Sequence, residues 1–218
     1  MATGLVLNSN VTWVNPIEKV ALAEHKLYQL RLAQQLGLAI PRSIVSRNPR
    51  RLREFISKSQ FGAICKPIFH GLFFDESGQY SIYTRRVSAD AFSGDTLEIC
   101  PVFLQEEIPR QADVRITFIG STFFTVDILG REGLVDWRAP DSEANFHVST
   151  VSEAVISRCQ LMLQTLGLRY GAFDFIRTPD GRLVFLEINP TGEWAWLEDI
   201  LALPMRESFV RLLYDETP

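Results

Sequence analysis

The sequence predicts an α+β fold, with helices and strands grouped along the chain. Three observations predict it. Residues 16–36 carry apolar side chains at helical spacing, residues 61–129 hold five short runs rich in β-branched and aromatic residues, and a helix, a hairpin and two closing helices follow. A doubly wound sheet would need strands and helices in strict alternation. Neither GxGxxG after a strand nor GxxxxGK[ST] occurs, so the two commonest nucleotide-binding loops are absent.

Each element has a local reason. Asn15-Pro16-Ile17-Glu18 opens the first helix: Asn15 is a capping residue type, Pro16 suits the first helical position and Glu18 can close a capping box. Ile17, Val20, Ala21, Leu27, Leu30, Ala33 and Leu36 recur along it until Gly37 and Pro41 end it. Asn48-Pro49 starts a short basic helix that runs to about Ser57. Strands are expected at 61–69, 80–87, 102–108, 114–119 and 123–129. Residues 151–166 form a helix with Ile156, Cys159, Met162, Leu163 and Leu166 on one face. Two strands flank Thr178-Pro179-Asp180-Gly181, and helices begin near Glu193 and Pro204. Trp194, Trp196, Leu197, Ile200 and Leu201 have the spacing of residues that pack these helices on the sheet, with Trp194 close to the end of the hairpin.

Composition narrows the function classes. The chain has 218 residues, 46% of them hydrophobic, and a net charge of -4, so general attraction to nucleic acid is excluded. No apolar run reaches membrane-spanning length and no secretory signal is present, which predicts a cytoplasmic protein without a membrane partner. Cys65, Cys100 and Cys159 are odd in number and lack CxxC spacing, so they read as buried free thiols. Arg47, Arg50, Arg51 and Arg53 on the basic helix form either a solvated face or a site for an acidic peptide.

The hairpin carries the chemistry. A four-residue turn at 178–181 pairs Arg177 with Arg182 and sets Asp174 opposite Phe185. Alternation then sends Asp174, Phe185, Glu187 and Asn189 to one face and Phe173, Phe175, Val184, Leu186 and Ile188 to the other. Asp174 and Glu187 become diagonal neighbours about 7–8 Å apart, close enough to reach one ion. Two carboxylates and an amide oxygen suit magnesium, although one-sided hairpins also carry acidic residues simply because that face meets water.

Other segments share this pattern. Lys26 in AEHKLYQLRLAQQLGLAIP, Lys66 in AICKPIF, FLQEEIP at 103–109, Asp113-Val114-Arg115 and AFDF…FLEINP occur in the order found in ATP-grasp ligases, which the chain resembles over essentially its whole length. Trp13-Val14-Asn15-Pro16, Tyr83-Thr84, Val135-Asp136-Trp137-Arg138 and the run EINPTGEWAW at 187–196 are similar to ligases that modify ribosomal peptides, the microviridin or graspetide macrocyclases. The resemblance implies an ATP-grasp fold of two α+β subdomains clasping ATP, here residues 1–104 and 105–218. Such ligases carry a further N-terminal domain before the segment that begins near Trp13, so a chain lacking that domain is expected.

Roles follow from the resemblance residue by residue. Lys26 and Lys66 would contact ATP phosphates, and Gln105, Glu106, Glu107 and Ile108 would receive adenine. Arg115 and Arg138 would act near the transferred phosphoryl group or the substrate carboxylate, where a planar guanidinium pairs two oxygens at once. Asp174, Glu187 and Asn189 would hold Mg2+. Lys66 lies in an apolar strand, where a lysine needs an anionic partner, whereas Lys26 could equally be a solvated helix residue and Arg138 could pair with Asp136 or Asp141. The implied reaction is ATP- and Mg-dependent ligation through an acyl phosphate, crosslinking a ribosomal precursor peptide, with a possible homodimer. A RimK-type amino-acid ligase and a non-catalytic remnant are the alternatives. Between Lys66 and Gln105 only Gly71, Gly78 and Gly94 stand where the family's phosphate loop is glycine-rich, and His70 beside them is a turn residue type.

Overall fold

The computed structural model describes residues 13–68, 72–75, 78–93, 100–131, 133, 135–138 and 143–214. Among them the order is α1 (Ile17–Ala23), α2 (Lys26–Gln35), β1 (Ser43–Ser46), α3 (Pro49–Ser57), β2 (Ala63–Lys66), β3 (Leu72–Asp75), β4 (Gly78–Ser81), β5 (Arg85–Val87), β6 (Val102–Glu106), β7 (Ala112–Ile119), β8 (Thr122–Leu129), β9 (Asn145–Val148), α4 (Glu153–Leu166), β10 (Tyr170–Arg177), β11 (Leu183–Asn189), α5 (Ala195–Leu201) and α6 (Met205–Tyr214). Every strand pairing is antiparallel: a four-stranded sheet β1-β6-β2-β5, a five-stranded sheet β11-β10-β7-β8-β9 and a ribbon β3-β4. The grouped α+β architecture is the expected one.

The central strand β7 is buried along its whole length, and its alternation builds both the core and the site. Val114, Ile116 and Phe118 turn to one face, where they join Met162, Leu163 and Leu166 of α4 and Leu30 and Ala33 of α2. Each such side chain contributes roughly 1.5–3 kcal/mol by leaving water. Asp113, Arg115 and Thr117 turn to the opposite face and are nevertheless buried. The four-stranded sheet has its own small core, in which Leu52 of α3 packs with Leu104 and Phe92. Asn48 caps α3 as expected, accepting from Arg50 N and Arg51 N at 3.0 and 3.2 Å.

Several expectations change. The first helix is two helices, broken at Glu24-His25. The polar residues Glu24, His25 and Lys26 interrupt the apolar repeat there, between Ala23, which is buried, and Leu27. Asn15 does not cap α1. Its buried amide donates to Tyr170 O and Pro190 O at 2.8 and 2.9 Å, and its oxygen accepts from Arg169 N and Tyr170 N. The strand expected at 80–87 is interrupted at 82–84, which puts Tyr83 and Thr84 between β4 and β5. Strands β1 and β9 were not expected, since each is a four-residue edge with few apolar residues. Cys159 is buried, but Cys65 is half-buried and Cys100 exposed. Arg53 donates to Phe92 O at 2.6 Å and so braces the fold. His70, Gly71, Gly94 and Asp141 lie outside the described residues.

Candidate active site

The hairpin register differs from the alternation argument. The turn takes five residues, so Arg177 pairs with Leu183 and Phe175 with Phe185; past that point the ladder shifts by one and Asp174 pairs with Glu187 directly. Leu186 is the residue left without a partner, a β-bulge. Phe185 therefore joins Phe173 and Phe175 in the core, and Leu186 faces the crevice, the reverse of the expected assignment for both. Asp174 and Glu187 still share a face, because the odd turn and the bulge cancel. Asp174 also pairs with Arg115 on β7, so Glu187, Asp174 and Arg115 form one transverse row over three strands.

Four cations converge on the two carboxylates. Arg115 Nη1 lies 3.3 Å from Asp174 Oδ1, Arg138 Nη2 lies 2.9 Å from Asp174 Oδ2 and 3.5 Å from Glu187 Oε1, and Lys26 Nζ lies 3.1 Å from Glu187 Oε2. Lys66 enters from β2 across the crevice and is coupled electrostatically to Glu187. Burial by itself would raise the Glu187 carboxyl, but Lys26, Lys66 and Arg138 outweigh it and hold the group down at about 2. Burial pulls the Lys66 ammonium below the usual lysine range, against the attraction of Glu187. Arg138 takes its backbone turn from Asp136, whose Oδ1 accepts from Arg138 N at 3.1 Å, while its guanidinium goes to the site and lies over Trp137. Asn189 is on the same side as the pair but is engaged locally, accepting from Thr191 N at 3.1 Å. A Cβ on Gly192 would meet Arg115 Nη2 at 2.8 Å and Asn189 Cγ at 3.2 Å, so glycine is required for this close approach.

Lys26, Lys66, Arg138, Asp174 and Glu187 line a crevice of about 280 Å³ between the two sheets, floored by Ile176 and Leu186, whereas Arg115 and Asn189 are not among its lining residues. A second cavity of about 380 Å³ adjoins it, sharing Ile64, Arg110, Asp113, Val135, Trp137 and Leu186. Gln105, Glu106, Glu107 and Ile108 all line that second cavity. Glu106 and Glu107 are held from outside by Arg42 and Arg86 at 2.9 and 2.6 Å, and their N–H groups donate to Arg42 O and Gly62 O. Gln105 is buried, donates to Ser43 Oγ at 3.1 Å and keeps its Oε1 without a hydrogen-bond partner. An orphaned acceptor on a cavity of mixed polar and apolar lining is what an aromatic amine would satisfy, and the charged crevice beside it is where phosphates would lie.

Asp113 and Arg110 were not singled out as site residues, yet both line both cavities. Burial pushes the Asp113 carboxyl up to about 7, against the Arg110 guanidinium at 3.3 Å. Their signal was present in β7, where Asp113 stands two residues before Arg115 on the polar face of an otherwise apolar strand. Tyr83 and Thr84 reach the crevice as well. Trp194 packs on Phe209, ring centroids 4.8 Å apart, and is part of the core under α5 and α6. Among the described residues no set of three His, Cys, Asp or Glu side chains could hold a metal, and no helix is long and apolar enough to cross a membrane.

No protein-family model and no curated protein matches the chain. Solved structures do. The macrocyclase MdnC of Microcystis aeruginosa MRC, bound with precursor peptide MdnA, is 31% identical over 99% of this chain and 69% of its own, with a TM-score of 0.85. MdnB from the same organism, also a macrocyclase, is 34% identical over 92% of this chain and 62% of its own, TM-score 0.73. A RiPP-associated ATP-grasp ligase of Chryseobacterium gregarium, in complex with ADP and a leader and core peptide, matches 100% of this chain and 67% of its own at 22% identity, TM-score 0.86, a likeness of fold. At 31% identity over 99% of this chain and 69% of MdnC, and with two carboxylates and their cations beside paired cavities, the chain belongs to the ATP-grasp macrocyclase family.

Proposed function

We propose that this chain crosslinks side chains of a ribosomally made precursor peptide, using ATP and Mg2+ to activate a carboxylate. The observation that carries the proposal is the transverse row Arg115–Asp174–Glu187, flanked by Lys26, Lys66 and Arg138 and opening into the cavity of Gln105 to Ile108. MdnC and the Chryseobacterium ligase are held with such peptides, and a further neighbour, PsnB, with Mg and ADP.

In this reading the peptide carboxylate attacks the terminal phosphorus, giving an acyl phosphate and ADP, and a peptide hydroxyl or amine then displaces phosphate. An ester or amide forms, and the peptide loses one water per bond. Gln105 Oε1, the 105–108 backbone and Ile108 receive the base, with Glu106 and Glu107 shaping its rim. Lys26 and Lys66 neutralise phosphate oxygens as charge spreads during transfer. Arg115 and Arg138 orient the carboxylate and the transferred group by paired N–H donors. Asp174, Glu187 and Asn189 are the oxygen donors that would hold Mg2+, which when bound offsets phosphate charge and leaves most of its shell to phosphate and water. Residues 1–104 thus supply lysines, and residues 105–218 supply arginines, base contacts and carboxylates. A cytoplasmic setting agrees with a need for ATP and with three free thiols.

The test is to search the neighbouring genes for one that encodes a short acidic or Thr/Ser/Lys-rich peptide and to incubate the chain with Mg-ATP and that peptide. Peptide-dependent ADP release with loss of one water mass per bond supports the reading. An unmodified peptide mass from a chain that binds Mg-ATP would overturn the crosslinking assignment.

A further inference from the structure

Strand β11 carries Glu187 and Asn189 but is the outermost strand of its sheet, so the backbone on one of its edges has no strand to pair with. Buried backbone groups must nevertheless be satisfied. At Phe185 the partner is Ala39, whose carbonyl accepts from Phe185 N at 2.8 Å. At Ile188 it is a side chain. Gln29 Oε1 accepts from Ile188 N at 3.0 Å, and Gln29 Nε2 donates to Ile188 O at 2.8 Å. The amide imitates a neighbouring strand for one residue. The same Nε2 donates to Ala23 O at the end of α1 at 2.6 Å, and Gln29 is 2% exposed.

We propose that Gln29 is a positioning residue for the reaction: its amide fixes the segment between Glu187 and Asn189 and, through it, the alignment of Lys26 with Glu187. The inference rests on the magnesium-nucleotide reading above. Lys26 precedes Gln29 by three residues and so lies on the same side of α2. Once Gln29 is locked on Ile188, Lys26 Nζ falls 3.1 Å from Glu187 Oε2. Asn15 ties the other end of the same segment, at Pro190. A donor set held this way keeps its geometry without relying on the ligand, which is how groups behind a metal site ordinarily raise its affinity.

The substitution Gln29→Glu separates positioning from general support. A carboxylate buried against two carbonyls is disfavoured, so the introduced group titrates above the ordinary glutamate range. When protonated, it keeps an acceptor for Ile188 N and a donor for Ile188 O; when ionised, it repels the carbonyls. Binding of ADP in the presence of Mg2+ is measured by calorimetry at pH 8 and pH 6 for wild type, Gln29→Glu, Gln29→Leu and Leu212→Ala, the last a cavity in the separate core cluster under α5 and α6. The expected result is that Gln29→Glu binds about tenfold more weakly than wild type at pH 8, the scale of a lost buried hydrogen-bond pair, and recovers most of that ratio at pH 6. Gln29→Leu stays weak at both, and Leu212→Ala binds as wild type despite a lower melting temperature. Amide exchange at Ile188 without ligand should lose protection in Gln29→Glu at pH 8 and regain it at pH 6. Equal binding by wild type and Gln29→Glu at pH 8, or a deficit that is the same at both pH values, overturns the proposal while leaving the nucleotide reading intact. Failure of wild type to bind Mg-ADP overturns both. If Gln29→Leu does not fold, the pH comparison of Gln29→Glu decides alone.

Discussion

Asp174 and Glu187 face each other directly across β10 and β11, although regular alternation from a four-residue turn would have set them on a diagonal. Two irregularities produce this, a five-residue turn and the unpaired Leu186, and each alone would have turned Glu187 into the core. The bulge also adds Leu186 to the crevice wall.

Asp174→Asn preserves shape and removes one charge from the row. Peptide-stimulated ADP release is expected to fall at least about a hundredfold, the scale seen when a preorganised electrostatic contact is lost. Far-UV circular dichroism should be unchanged. A variant with wild-type turnover would remove Asp174 from the proposed metal set.

Gly192→Ala tests the same row from behind. The added methyl would stand 2.8 Å from Arg115 Nη2 and 3.2 Å from Asn189 Cγ, so Arg115 must leave its place 3.3 Å from Asp174. Turnover should drop about tenfold or more, as expected when a reacting group is misplaced by less than an ångström or so, with a melting temperature near wild type. Unchanged turnover would show that Arg115 is free to adjust.

How much of this was legible depends on which forces set each feature. The alternation of β7 could be read from ADVRITFI, because a two-residue period with a buried face survives in sequence. The site row was legible by residue type, since carboxylates and cations in ATP-grasp order identify themselves. The hairpin register was not, because a bulge leaves no mark at the end of an apolar run such as Leu183 to Leu186. Nor were the roles of Asn15 and Gln29. Asn15 beside a proline imitates a helix cap, and a glutamine on a helix gives no sign that it is buried against an edge strand 159 residues away. The break at Glu24-His25 was missed too, because the apolar residues on either side of it fit one continuous helix.

Lys66→Met keeps the volume and removes the charge. Because burial already pulls the Lys66 ammonium down, a neutral thioether costs the free protein little, and the melting temperature should hold or rise. The apparent KM for ATP is expected to rise about tenfold, as when one charge-assisted phosphate contact is removed. If the variant instead loses stability and keeps its KM, Lys66 serves Glu187 and not the nucleotide.

Asp113→Asn should change how stability depends on pH. The folded-state value of about 7 lies above the ordinary aspartate value of 3.8, so the folded chain holds this proton more tightly than the unfolded chain. Wild-type stability then declines as pH rises through the window from about 4 to about 7, by an amount on the order of a few kcal/mol, and levels off above it. Asparagine carries no such penalty, and its N–H can serve the cavity beside Arg110. Melting curves at pH 5, 6, 7 and 8 should show the variant gaining on wild type as pH rises, with most of the gain below pH 7. Parallel curves across that window would place the Asp113 carboxyl at an ordinary value.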